Sequence, residues 1–175
     1  DTVAKVAPGA GGVIFTPWLH GNRCPFEDAA AAGMFFNLRL ETGKAQMLRA
    51  VLEGICYHLR WMLECQQKKV KLPQTIRFVG GGALSAVTCQ MLSDITGRTV
   101  ETVEHTKDVG AIGAAMLAAV GSGQIADLTQ AGQLVRVSGR YTPDAANRAV
   151  YERNYAVFKR LYASNQKNFA LLNRQ

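Results

Sequence analysis

The stretch that decides the fold is Arg77-Phe78-Val79-Gly80-Gly81-Gly82-Ala83-Leu84-Ser85. Apolar strand residues run into three glycines, and a polar–apolar helical pattern begins directly after them. Residues without a Cβ let a flat ligand lie against bare backbone and accept the positive φ angles of a tight strand-to-helix turn. Open α/β sheets place their ligands at the carboxyl ends of strands, where such turns occur. The turn departs from two nucleotide-binding patterns. No glycine follows at the place GxGxxG requires, and no Lys-Ser/Thr opens the helix as in a P-loop. Without a fingerprint or a cation, it suits the adenosine end of a nucleotide better than its phosphates. Taken alone, the glycines fit a tight turn with nothing bound equally well.

Outward from the turn, the spacing predicts an α/β order. Upstream, Gly9 to Gly12 form a turn, Val13 to Thr16 a short strand stopped by Pro17, and Trp18 to Gly33 an irregular stretch. Met34 to Leu38 restore apolar character. Leu48, Val51, Leu52, Ile55, Cys56, Leu59, Met62 and Leu63 recur three or four apart and predict a long amphipathic helix, ended by the Lys68–Lys71 stretch and Pro73. Thr75 to Val79 read as a buried strand entering the glycines. Val87, Met91, Leu92 and Ile95 mark the next helix, with Gly97 as its C′ residue. Thr99 to Val103 alternate as a strand. Asp108 is the expected N-cap of a tightly packed core helix over Val109–Val120, closed by Gly121 and Gly123. Thr142-Pro143 are expected to start the last long helix. Helix, strand, glycine turn, helix, strand and helix in one expected domain make the class α/β.

Composition narrows the functional classes. A hydrophobic fraction of 48% and a charged fraction of 19% are those of an ordinary globular chain. No apolar run approaches the roughly 20 residues that span a bilayer, and Asp1 to Gly12 lack the order of a signal peptide. Cys24, Cys56, Cys65 and Cys89 show no CxxC pair, which fits thiols in a reducing cytoplasm. His20, His58 and His105 are isolated, so no metal is assigned to side chains. The formal charge of +7 and pI near 9.5 point to an anionic partner. Yet the basic residues of the tail interleave with Val150, Val157, Phe158 and Leu161, as on the polar face of an amphipathic helix. Neither nucleic acid nor membrane is an expected partner. Gly110-Ala111-Ile112-Gly113-Ala114-Ala115 leave one helix face nearly free of bulk, which suits either close packing or one wall of a nucleotide cleft.

Several motifs in order resemble one family. Phe78 to Ser85, then Cys89-Gln90-Met91-Leu92-Ser93-Asp94-Ile95-Thr96-Gly97-Arg98, then Val100-Glu101, then Asp108 to Ala115 resemble the C-terminal domain of FGGY carbohydrate kinases. Phe15-Thr16-Pro17-Trp18-Leu19-His20-Gly21-Asn22-Arg23-Cys24-Pro25 is similar to that family's LPYLSGERTP segment. Gly33 to Leu38 with Gln46 to Gly54 resemble its second signature region, and the flavour is xylulokinase-like. Asn37 stands where the signature usually has Gly, Asn22 where Glu is common, and Ala86 where some members offer an Asn to adenine.

The resemblance implies an actin-like (ribonuclease H-like) ATPase fold, with residues 1–175 forming the C-terminal half of a two-domain sugar kinase, incomplete at its N-terminal side. It implies that Gly80, Gly81, Gly82 and Ala83, with Ser85 and Ala86 at the helix start, line the adenosine pocket. The cofactors implied are ATP and Mg2+, the latter held mainly through phosphates. The catalytic Asp, the phosphate loops and most sugar contacts are expected before the chain begins, because Asp1, Glu27 and Asp28 do not sit in the required motif. The expected partners are ATP, a sugar, an N-terminal kinase domain and, as an open option, a second copy of the chain. Xylulose is the expected sugar, with gluconate, ribulose and glycerol open. Two rival functions remain: an Hsp70-type ATPase that couples ATP to conformational change, against which Phe35–Leu38 and Gln46–Glu53 argue, and a basic interaction module.

Overall fold

The computed structural model describes residues 2–173. Strands β1 (Ile14–Thr16) and β2 (Met34–Phe36) pair antiparallel, with Phe15 opposite Phe35. Helix α1 (Lys44–Gln67) lies against β1 so closely that a Cβ at Gly54 would run into the Phe15 carbonyl oxygen. The α1 N-terminus is fixed by Gly43 N–H donating to Gln46 Oε1 at 3.1 Å, one half of a capping box. Strand β3 (Thr75–Arg77) leads through the glycine turn into α2 (Ala86–Thr96), and β4 (Thr99–Val103) leads into α3 (Val109–Gly121). A short helix α4 (Leu128–Gln133) and strand β5 (Val137–Tyr141) follow, and α5 (Arg148–Asn173) closes the described chain. The second sheet has the order β3-β4-β5. Its β3–β4 pair is parallel, its β4–β5 pair antiparallel, and its register shifts between Thr102 and Val103.

Helices α1, α2 and α5 enclose the main core. Trp18, Tyr57, Leu92, Ile95, Val100, Tyr151 and Phe158 are fully buried there, each large apolar side chain contributing about 1.5–3 kcal/mol. Arg60 ties α1 to α5, with Nη2 donating to Glu152 at 2.8 Å and its guanidinium 4.1 Å from the Tyr155 ring centroid.

A polar cluster lies inside the same core. Glu53 Oε1 accepts from Arg49 Nε at 2.6 Å, from Gly9 N at 2.9 Å and from the Tyr151 hydroxyl at 3.2 Å. Arg49 also donates to the carbonyls of Val3 and Val6, at 3.2 and 2.6 Å. Asn154 Nδ2 reaches the Gly9 carbonyl at 3.2 Å. The segment from Val3 to Gly9 is thereby strapped across α1 and α5. Burial pushes the Glu53 carboxyl above its ordinary value, against the lowering pull of Arg49 and the Gly9 N–H. Burial acts against the Arg49 cation too, but Glu53 and Tyr151 outweigh it and hold the guanidinium charged.

Five sequence expectations change. The α1 stripe is shifted, because Leu48 and Ile55 are exposed while Arg49 and Glu53 occupy the buried face. Strand β3 is half-buried with Arg77 exposed, since it pairs with β4 alone. Helix α3 buries none of its residues, and a Cβ at Gly110 or Gly113 would meet nothing within 4 Å; among the described residues no element packs over its outer face. Asp108 stands at the α3 N-cap without a side-chain capping bond. Helix α5 begins at Arg148 after a 3-10 turn over Ala145–Asn147, capped by Asp144 rather than Thr142. There the carboxylate of Asp94 accepts from Asp144 N and Asn147 Nδ2, both at 2.8 Å, and delays the helix start.

Candidate functional site

Because β3 and β4 are parallel neighbours, their carboxyl ends lie side by side, and each feeds a loop that turns into a helix. Gly80 adopts φ 89° and ψ −168°, a conformation closed to residues with a Cβ. Its N–H is shared between the Thr106 carbonyl at 2.9 Å and the Thr106 hydroxyl at 3.1 Å. Thr106 is buried, and it belongs to the β4–α3 loop, where His105 takes φ 52°. One amide therefore locks the two loops together at the sheet's carboxyl edge.

Gly81 to Leu84 form a single 3-10 turn. Ala83 N donates to the Gly80 carbonyl at 3.1 Å, while the buried Cys89 thiol reaches the Ala83 carbonyl at 3.6 Å. The three glycines have different physical reasons. Gly80 needs its backbone conformation, and at Gly82 a Cβ would stand 2.8 Å from the Phe78 ring. At Gly81 a Cβ would meet nothing within 4 Å, and the residue is exposed. Its bare backbone is thus open to an incoming molecule and is required by nothing inside the fold.

Ser85 is the α2 N-cap, its hydroxyl accepting from Thr88 N at 3.3 Å. Ala86 is exposed at the first helical position. The six residues singled out by sequence, Gly80, Gly81, Gly82, Ala83, Ser85 and Ala86, thus form one continuous turn, within which Ala83 is buried as its inner support. Thr106 was missed. A lone Thr in a polar loop carries no sequence signal, and only the parallel pairing of β3 and β4 brings it to Gly80. Beyond the same loop, an apolar cleft of about 250 Å3 lies between α3 and the segment entering β5, lined by Val103, Val109, Ile112, Met116 and Leu134.

The departures from the family pattern also acquire reasons. Asn22 Nδ2 donates to the carbonyls of Cys24 and Phe26, at 3.1 and 2.8 Å, and shapes its own loop. Asn37 takes φ 65°, the left-handed region that glycine favours and Asn tolerates. No group of three or more His, Cys, Asp or Glu side chains placed to hold a metal occurs among the described residues. No described helix is long and apolar enough to cross a membrane.

A glycine strand-turn on a parallel βα pair, with a second loop latched to it, stands at the carboxyl edge of the sheet, where open α/β proteins bind their ligands. The sequence matches the C-terminal domain of the FGGY family of carbohydrate kinases over residues 2–122. The chain belongs to that family, and its α/β core is the C-terminal, actin-like ATPase domain. It is 33% identical over 161 residues to the xylulose kinase of Bacillus subtilis, covering 91% of this chain and 32% of that protein. Among solved structures, xylulose kinase from Lactobacillus acidophilus superposes with a TM-score of 0.89 at 27% identity, over 98% of this chain and 35% of that one. Gluconate kinase from the same organism gives a TM-score of 0.88 at 27% identity, over the same shares. The chain spans about a third of the length of these proteins.

Proposed function

We propose that residues 1–175 form the adenosine-binding half-site of an ATP-dependent carbohydrate kinase, whose acceptor is a hydroxyl of a pentulose such as xylulose. One observation carries the nucleotide reading: Gly81 presents bare backbone to solvent with no internal reason for lacking a Cβ, between neighbours that each have one. Gly80, Gly81, Gly82 and Ala83 line the base and ribose, and Ser85 and Ala86 form the start of the helix beneath them.

The reaction is in-line transfer of the γ-phosphoryl group of Mg·ATP, in which positioning and charge neutralisation do most of the work. The relatives are about three times as long. On this reading the remainder of such a kinase supplies the general base, the phosphate loops and most sugar contacts, and closes over the site to exclude water. The Mg2+ ion rides on the nucleotide phosphates. The four free cysteines suit a reducing, cytoplasmic setting. Xylulose leads because relatives such as those of Bacillus subtilis and Escherichia coli are xylulose kinases; the equal likeness to a gluconate kinase fold keeps gluconate in the assay.

The test is a coupled ADP-release assay with xylulose, ribulose, gluconate and glycerol. The full kinase turns over with xylulose fastest, whereas the 175-residue chain binds an ATP analogue weakly and does not turn over. Sugar-dependent ADP release by this chain alone overturns the half-site reading, and peptide-stimulated but sugar-independent hydrolysis favours the Hsp70-type alternative.

A further inference from the structure

A further cleft lies well apart in sequence from the glycine turn. It measures about 400 Å3 and opens where the Gly11–Gly12 turn, the segment after β2 and the middle of α5 meet. Arg39 and Arg153, from distant parts of the chain, line it, and among the described residues no acidic side chain does. Neither arginine pairs with a carboxylate among the described residues. The backbone around them is held in conformations that side chains rarely accept, with Gly11 at φ 65°, Gly12 at φ 87° and Asn37 at φ 65°. Asn37 Nδ2 donates to the Gly12 carbonyl at 3.1 Å and fixes the two turns to each other. Phe36, also lining the cleft, is 43% exposed. Both arginines are exposed, and two like charges with no carboxylate beside them, set around a left-handed Asn37 and an exposed ring, make the cleft electrostatically complementary to an anion.

We propose that this cleft binds a small phosphate monoester. The two guanidinium forks take the phosphate oxygens, and Phe36 covers the organic group. Phosphate fits better than carboxylate for a geometric reason. One bidentate arginine already occupies both oxygens of a carboxylate, whereas a tetrahedral phosphate offers a further oxygen to a second fork arriving from another side. Its charge of about −1.5 to −2 at pH 7 also matches two guanidiniums. The site is independent of the nucleotide reading of the glycine turn.

The experiment titrates phenyl phosphate, inorganic phosphate and benzoate into the intact polypeptide at low salt, following the arginine Nε–H signals by NMR. Phenyl phosphate is expected to bind saturably, to move the Arg39 and Arg153 signals, and to bind more tightly than either inorganic phosphate or benzoate. Arg39→Gln and Arg153→Gln should each raise its Kd about tenfold. Arg160→Gln, at an exposed arginine of α5 that does not line the cleft, should change it less than about twofold. All three positions are exposed, and a thermal melt of each variant verifies that the fold is intact. Non-saturating shifts, or equal weakening by Arg160→Gln, would mean diffuse attraction to a basic surface and would overturn the site. Benzoate binding as tightly as phenyl phosphate would overturn the phosphate assignment.

Discussion

The backbone amide of Gly80 donates at once to the carbonyl and the hydroxyl of Thr106, at 2.9 and 3.1 Å. Two loops that follow different strands are thereby set by one shared donor, and the glycine turn takes its shape from the β4–α3 loop as much as from its own sequence. Thr106→Val removes the hydroxyl acceptor and leaves the carbonyl. The expected loss is about 1 kcal/mol, roughly fivefold in affinity for an ATP analogue, while Thr106→Ser restores it. If wild type binds the analogue and Thr106→Val binds it equally well, the latch is irrelevant to the site; if wild type does not bind, the nucleotide reading itself fails.

The three glycines separate ligand binding from folding. Gly81→Ala places its methyl in open space, so the melting temperature should hold within about 1–2 °C, as for a surface change of ±0.5 kcal/mol or less. Binding of the ATP analogue should weaken sharply. Gly82→Ala should lower the melting temperature, because its Cβ stands 2.8 Å from the Phe78 ring and overpacking costs about 1–3 kcal/mol. Paired melting and binding curves on both variants check the contrast. Equal effects of the two substitutions on binding and stability would remove the distinction.

Removing the guanidinium of Arg49 leaves the Glu53 carboxylate buried without its 2.6 Å partner. Arg49→Ala is expected to cost about 3–5 kcal/mol in a denaturant titration, much of it from the uncompensated charge. Adding Glu53→Ala should recover part of that loss, so the double-mutant cycle should show coupling of about 0.5–3 kcal/mol. Simple additivity would show that the strap over Val3 to Gly9 does not depend on the pair.

The legible parts of the sequence are those set by local chemistry. The glycine run Gly80–Gly82, the helix start near Ser85 and the α2 end at Gly97, which sits at φ 67°, each carry a signal in residues within one turn of each other. What escaped reading depends on distant partners. Strand β5 centres on Val137-Ser138-Gly139-Arg140-Tyr141, a polar run with a glycine in the middle, and is a strand because β4 offers it an edge. Gly139 fits there because a Cβ would lie 2.8 Å from Thr102 Oγ1 across the pair. Arg49 and Glu53, spaced i and i+4, have the pattern of a solvated ion pair, yet Gly9, Tyr151 and the carbonyls of Val3 and Val6 hold them inside. The apolar run of α3 carries the composition of a core helix, but burial depends on a neighbour, and none of the described elements covers its outer face. At the candidate site the glycines were legible for the same local reason, whereas Thr106 depends on the β3–β4 pairing.

His58 gives the stability a definite pH dependence. Its Nδ1 accepts from Trp18 Nε1 at 3.4 Å, so that nitrogen must stay unprotonated for the bond to exist. Burial depresses the imidazole pKa below its ordinary 6.5, against the raising effect of a hydrogen bond to the Cys24 backbone. The unfolded chain therefore takes up a proton at a higher pH than the folded one. Its contribution is fully present above about pH 6.5 and is lost as pH falls from there through the folded pKa. His58→Gln keeps an acceptor for Trp18 but does not titrate, so the difference in unfolding free energy between wild type and variant should shrink as pH falls below about 6.5. Urea titrations of both proteins at half-unit steps from pH 7.5 to 5 measure that difference directly. A difference that stays constant across the range would show that His58 protonates equally readily in the folded and unfolded chain.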